Sequence, residues 1–192
     1  MNLRLLPLDA AQTKAVYDRW MKADFPPEEL KPYASMAQMM EKGWYEPLAL
    51  LDGTTGAMAA YAFQTVMPDC RCALLDYFAV LPDRRGHGTG TAALKALAGH
   101  YRDRMEALII ECEHPAEAPD PETARRRIGF YLRAGARTTA IESRLFGVRY
   151  LVLALPCGDA VPDAAVNADL RRIYRMTVPE PYYRGNVIFY GG

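Results

Sequence analysis

The sequence is short of several features that would fix a class at once. It holds four cysteines, Cys70, Cys72, Cys112 and Cys157, and no two form a C-x-x-C pair. With Cys70 and Cys72 two apart on an expected strand, they read as core thiols of a cytoplasmic protein, not as a zinc site. The three histidines, His87, His100 and His114, lie scattered without metal-ligand spacing, so no metal is expected. No charge of one sign prevails, because Lys plus Arg and Asp plus Glu both number 23. That balance gives no whole-molecule attraction to nucleic acid or to an anionic membrane. No apolar run approaches the roughly 20 residues of a membrane-spanning helix. The opening "MNLRLLPLDAAQTKAVYDRW" lacks the sustained apolar core of a signal peptide. There is no internal repeat and no low-complexity segment.

What is present is ordinary for a globular chain. Of its 192 residues, 51% are apolar and 24% charged, enough for one substantial domain and short for two. Residues 9–23 read as a helix with Asp9 at its cap. A proline-marked turn follows, then a second helix ending near Gly43. "YEPLALLDGTTGAMAAYAFQTV" gives two strands around a glycine-containing turn, and "RCALLDYFAV" a third. "TAALKALAGHYRDRM" has helical spacing of apolar residues. "EALIIECE" is a strand, "HPAEAPDPE" a loop, "TARRRIGFYLRAGA" a helix ending at Gly135, and "RTTAIESRLFGVRYLVLALP" two strands. A helix over about 164–176 and an aromatic tail complete the chain. The order predicts an α/β class, α+β in detail: a mixed, mostly antiparallel central sheet with one parallel strand pair, flanked by helices.

The informative stretch is "AVLPDRRGHGTGTAALKAL", residues 79–97, in which Gly86, Gly88 and Gly90 separate two arginines from a helix. A helix amino terminus exposes N–H groups that no helical bond uses, and the dipole adds positive charge. Glycines let the backbone approach an anion closely, and Arg84 and Arg85 can add charge-assisted bonds. Together they describe a diphosphate site. No G-x-x-x-x-G-K-[ST] is present. Gly88, Gly90 and Ala93 match G-x-G-x-x-A, with Glu111 about 20 residues on. However, "LPDRRGH" intervenes after the strand, and the later chain shows no further strand–helix alternation. A nucleotide-dependent oxidoreductase is therefore the lesser alternative.

"VLPDRRGHGTG", from Val80 to Gly90, resembles motif A of the GNAT superfamily of N-acetyltransferases, V-x-P-x-x-[RQ]-x-x-G-x-[GA], with every fixed position filled. "IIE" and "FYLRAGA", with Tyr131 and Gly135, resemble the family's next strand and helix. The order of elements up to about residue 155 is also the family's. The resemblance implies a GNAT-like domain over 1–156, with the parallel pair splayed, and a C-terminal extension over 157–192. It implies acetyl-CoA as cofactor, its pyrophosphate held by the loop from Arg84 and Arg85 through Gly86, His87, Gly88, Thr89 and Gly90 to Thr91. It implies that Phe78, Ala79 and Val80 pair with the pantetheine arm and that Tyr131 lies at the cofactor. Transfer would be direct, to an amine. A CoA-binding module without catalysis is the other alternative.

The chemistry imposes its own demands. A lysine-like amine has a pKa of about 10.4 and is protonated at neutral pH, so a general base is needed. Glu111 is the first candidate, because it follows the apolar Leu108–Ile110 and partial burial raises a carboxyl pKa. Glu113, on the same face by the period of two, and Asp76 in "ALLDYFAV" are the others. Each has the alternative of pairing with a nearby arginine such as Arg125, Arg126 or Arg127. The leaving group is a thiolate, and Tyr131 can protonate it, since phenol and thiol pKa values differ by roughly 1.5 units. The acceptor, a small-molecule or peptide amine, is expected at "FPPEELKPY" and the tail aromatics Tyr182, Tyr183, Phe189 and Tyr190. A monomer or homodimer is expected.

Overall fold

A computed structural model describes residues 2–191. It places eight strands in one sheet of order β1-β2-β3-β4-β5-β7-β6-β8. The strands are β1 (Leu3–Pro7), β2 (Tyr45–Asp52), β3 (Met58–Thr65), β4 (Cys72–Val80), β5 (Ala107–Glu113), β6 (Arg137–Leu145), β7 (Val148–Pro156) and β8 (Val187–Tyr190). One pair, β4–β5, is parallel, and the sheet is otherwise mostly antiparallel. That is the mixed architecture expected, and a doubly wound dinucleotide fold is not. Among the described residues no helix is long and apolar enough to cross a membrane.

The chain divides into two compact units, Met1–Pro68 with Asp76–Ala93, and Asp69–Leu75 with Leu94–Gly192. The first unit opens on β1, which pairs antiparallel with β2. Helix α1 follows as an α segment Ala10–Val16, a π turn Tyr17–Met21 and a last turn Lys22–Asp24. Asp9 starts it with a capping box: its carboxylate accepts the Gln12 N–H at 2.8 Å, and the Gln12 side chain accepts the Asp9 N–H at 3.0 Å. Such a box satisfies amides that the first turn leaves without helical partners. A 3₁₀ turn, Pro27–Glu29, leads to α2 (Tyr33–Glu41). Met21, Met36, Tyr45, Tyr61, Phe63 and Tyr77 are buried together and form the centre of this unit's core.

In the second unit β5 pairs along its whole length with β7, from Ala107↔Pro156 to Glu113↔Tyr150. The parallel ladder joins Cys72–Leu74 to Ala107–Ile109. Helix α3 (Thr89–Tyr101) precedes β5, α4 (Pro121–Arg133) follows it, and α5 (Asp163–Thr177) and the short α6 (Glu180–Asn186) precede β8. Asp120 caps α4 through the N–H groups of Glu122 and Thr123. The segment after Pro156 is integral to this unit. Val166, Leu170 and Ile173 of α5 are buried, β8 pairs with β6, and Asp169 accepts the Arg71 and Cys72 amides at 2.7 and 2.8 Å.

Candidate active site

The glycine loop leaves β4 through a 3₁₀ turn, Pro82–Arg84, and enters α3 at Thr89. Gly86 and Gly88 have φ of +80° and +77°, a region that L side chains rarely adopt, and a Cβ at either would meet nothing within 4 Å. Glycine is thus required by backbone conformation, and the space above the loop is open. The Ala92 amide donates to the Gly88 carbonyl at 3.0 Å. This first helical bond leaves the amides of Thr89, Gly90 and Thr91 without intrahelical acceptors. Thr89 is 1% exposed, and its hydroxyl has no partner among the described residues. A dipole-bearing helix start, two left-handed glycines and an orphaned buried hydroxyl fit an anion such as a pyrophosphate. His87 stands exposed beside them.

Both arginine side chains have carboxylate partners of their own in the chain. Arg85 donates from Nε to the Val80 carbonyl at 2.8 Å and pairs with Asp24 at 2.9 Å. Arg84 pairs with Asp52 at 3.4 Å. Asp24 also accepts the Tyr61 hydroxyl at 2.9 Å. The guanidinium of Arg85 therefore ties the loop back to the end of its strand and to α1. Phe78, Ala79 and Val80 are each partly buried on the last part of β4.

The three candidate carboxylates have three different environments. Glu111 on β5 accepts the Ser143 hydroxyl at Oε1, 3.1 Å, and the Tyr174 hydroxyl at Oε2, 2.6 Å. Glu113 pairs with Arg127 of α4 at 3.3 Å, so the pairing with arginine foreseen as the alternative falls to this residue. Asp76, with a side chain 4% exposed, holds the Lys31 ammonium at 2.7 Å and the Thr65 hydroxyl at 2.8 Å. Beside it the Tyr45 phenol is buried short of hydrogen-bond geometry. Burial and the Asp76 charge push its pKa well above the ordinary tyrosine value.

Tyr131 sits on α4, half-buried, its ring tilted against Phe130 at 5.1 Å. Burial, reinforced by the neighbouring Cys112, pushes its phenol above the usual range. The group therefore keeps its proton throughout the neutral range, as a proton donor must. Ser143, Tyr174 and Thr65 do not stand out in the sequence, and Lys31 stands out only as a member of "FPPEELKPY". Their bonds span 32, 63, 11 and 45 positions respectively, and no local pattern marks them.

The tail aromatics separate. Phe189 packs edge-on against Tyr174 at 5.8 Å, whereas Tyr182 and Tyr190 are 62% and 44% exposed. Tyr190 lines an open cleft of about 490 Å³ with Glu142, Arg144 and Arg149. Its arginines are paired, Arg149 with Glu142 at 2.6 Å and Arg144 with Glu117 at 2.7 Å.

The model of the acetyltransferase (GNAT) family matches residues 13–135. No curated protein matches the sequence. Similar solved structures include a protein assigned to the GNAT acetyltransferases from Bacteroides thetaiotaomicron. It is 19% identical, with a TM-score of 0.71, and 90% of this chain and 97% of that one are covered. The ribosomal-protein-S18-alanine N-acetyltransferase of Escherichia coli gives a TM-score of 0.59 at 23% identity, over 83% and 97% of the two chains. Spermidine N-acetyltransferase of Vibrio cholerae, in complex with CoA and spermine, gives 0.59 at 7% identity, over 80% and 95%.

Proposed function

The chain belongs to the acetyltransferase (GNAT) family, and from that premise we propose that it transfers acetyl groups directly to a primary amine in a ternary complex. It is an N-acetyltransferase, and its donor is acetyl-CoA. Acetyl-CoA supplies the thioester carbonyl that the amine attacks. The amides of Arg85 to Thr91 hold the pyrophosphate, and Phe78, Ala79 and Val80 offer backbone bonds to the pantetheine arm. Glu111 takes the proton of the acceptor ammonium, oriented by Ser143 and Tyr174. Tyr131 gives its proton to the departing sulfur, which leaves as the CoA thiol, and the second proton shed by the acylated nitrogen restores the phenol. Glu113 and Asp76 are the carboxylates that variants must exclude as the base.

The observation that carries this reading is the loop itself, where Gly86 and Gly88 take left-handed conformations under open space beside the orphaned Thr89 hydroxyl. A primary amine as acceptor is further supported by two similar structures, named for ribosomal-protein-S18-alanine and for spermidine. Residues 157–192 are read as an extension packed on the acetyltransferase domain of 1–156, and the protein as a cytoplasmic monomer or homodimer.

The test is thermal-shift screening with CoA thioesters, followed by an acetyl-transfer screen over amines. Stabilisation by acetyl-CoA and formation of an N-acetyl product are expected. Tight CoA binding without transfer to any amine would leave a binding module instead.

A further inference from the structure

We propose that Asp76, with Tyr45, Thr65 and Tyr77 around it, is a subsite for the alkylammonium group of the acceptor, and that Lys31 is a built-in competitor for it. A carboxylate whose side chain is 4% exposed needs partners. It has the Lys31 ammonium at Oδ1 and the Thr65 hydroxyl at Oδ2. The Lys31 nitrogen also stands 5.7 Å from the centre of the Tyr77 ring, within range of a cation–π contact. The Tyr45 hydroxyl, on a residue 5% exposed, lies against the same carboxylate without a well-formed bond of its own. A buried anion, an aromatic face and a spare phenol are the chemistry that recognises an ammonium on an alkyl chain.

Lys31 is built to leave. Its side chain is 32% exposed, against 4% for its partner. Its main chain is fixed separately: the Lys31 amide donates to the Tyr77 hydroxyl at 2.8 Å, that hydroxyl donates to the Glu29 carbonyl at 2.8 Å, and the Tyr17 hydroxyl donates to the Lys31 carbonyl at 3.2 Å. The ammonium can therefore swing out on its flexible stem without moving the segment between Pro27–Glu29 and α2. The cation is the exposed partner, so the ammonium reaches water without the carboxylate having to move. Since Lys31 reaches Asp76 on an unbranched stem of four methylenes, the ligand class is an unbranched alkylammonium, such as a lysine side chain or a diamine.

This inference rests on the proposed acetyl-CoA site. A pantetheine arm running back from residues 86–90 along Phe78–Val80 is directed towards Asp76, about 13 Å from Val80 at the rise of an extended strand.

The experiment uses the full chain and 1,5-diaminopentane as probe, titrated calorimetrically with CoA present. The wild type is expected to bind it. Lys31→Ala should bind it about tenfold more tightly, because the internal competitor is gone. Asp76→Asn should lose binding at least tenfold. In Lys31→Ala the deleted fragment is n-propylammonium, so n-propylammonium chloride should raise Tm by about 3 °C, and n-propanol should not. Should Lys31→Ala fail to fold alone, refolding with n-propylammonium is expected to restore it. No binding to the wild type, equal affinity in Lys31→Ala, binding retained in Asp76→Asn, or no rescue would each overturn the proposal. CoA titration of the same proteins separates the two readings. Loss of CoA binding in the wild type defeats the acetyltransferase assignment, and intact CoA binding with failed amine arms defeats the subsite alone.

Discussion

The Tyr174 hydroxyl donates a 2.6 Å hydrogen bond to Glu111 Oε2 from helix α5, which lies beyond the residues that match the family model. Ser143 supplies the second donor, to Oε1. Donors to a carboxylate favour its ionised form, and a general base must be ionised to act. The C-terminal segment thus orients the proposed base, and Phe189 of β8 in turn packs on Tyr174.

Glu111→Gln keeps the shape and removes the basicity. A loss of roughly 10²- to 10⁴-fold in kcat/KM near neutrality is expected, shrinking at high pH where the free amine needs no base. Tyr174→Phe removes one donor, which raises the carboxyl pKa. The acid limb of the kcat/KM profile should therefore move to higher pH, with CoA affinity unchanged. Rate–pH profiles of both variants, beside Glu113→Gln and Asp76→Asn, are the measurement. A large pH-dependent loss in either of the latter, with Glu111→Gln unaffected, transfers the role.

Much of this was legible in the sequence. Strands β2 to β7 and helices α1 to α5 follow from apolar periodicity and turn residues, and the glycine loop is a local pattern. What escaped is non-local. "LRLLP" becomes β1 only by pairing with Leu48–Asp52, and "VIFY" becomes β8 only by pairing with β6. The ion pairs of Arg84 and Arg85 escaped too, because their partners Asp52 and Asp24 lie 32 and 61 positions away. The hydroxyls on Glu111 escaped for the same reason. Side-chain periodicity carries burial, whereas a hydrogen bond between distant elements leaves no mark on either segment.

Gly88→Val tests the cofactor loop. At φ +77° a β-branched residue is strained, but its Cβ meets nothing within 4 Å, so the fold should persist. Strain of about 1–2 kcal/mol corresponds to a Tm lower by roughly 2–8 °C. The side chain would project into the space needed by a pyrophosphate, and CoA affinity is expected to fall by more than about 100-fold. Calorimetry showing unchanged affinity would remove the loop from the cofactor site.

Tyr131→Phe tests the acid. Burial holds the phenol protonated, and its removal should lower kcat roughly 10²-fold with little change in the acetyl-CoA KM. Turnover close to wild type would make Tyr131 a packing residue beside Phe130.

The cysteines set an alkaline limit. Burial pushes the thiols of Cys70, Cys72 and Cys112 up to about 12 and that of Cys157 to about 11. Unfolded thiols release their protons near pH 8.5, so above that pH the unfolded chain binds fewer protons than the folded one. Stability should then fall as pH rises from about 8.5 towards 11. Denaturant midpoints across that range check this, and the four thiols should resist an aromatic disulfide reagent at pH 8 until the protein unfolds. Rapid native labelling would contradict the burial argument.

The C-terminal segment is expected to be needed for folding itself, and Asp169 is the residue that shows it. This carboxylate, 8% exposed, accepts both the Arg71 and the Cys72 amide at the start of β4. Asp169→Ala leaves those two donors without an acceptor, at about 2–4 kcal/mol, a Tm drop of roughly 5–15 °C. Asp169→Asn keeps an acceptor oxygen and gives up only the charge assistance, so a smaller drop is expected. Ending the chain after Pro156 goes further. It removes Asp169, the buried Val166, Leu170 and Ile173, and the strand that covers β6. The truncated chain should therefore lack a cooperative thermal transition, and any defect in acceptor use would be secondary to that. A truncated protein with the wild-type Tm and an Asp169→Ala variant with an unshifted midpoint would together show that residues 157–192 are dispensable to the sheet.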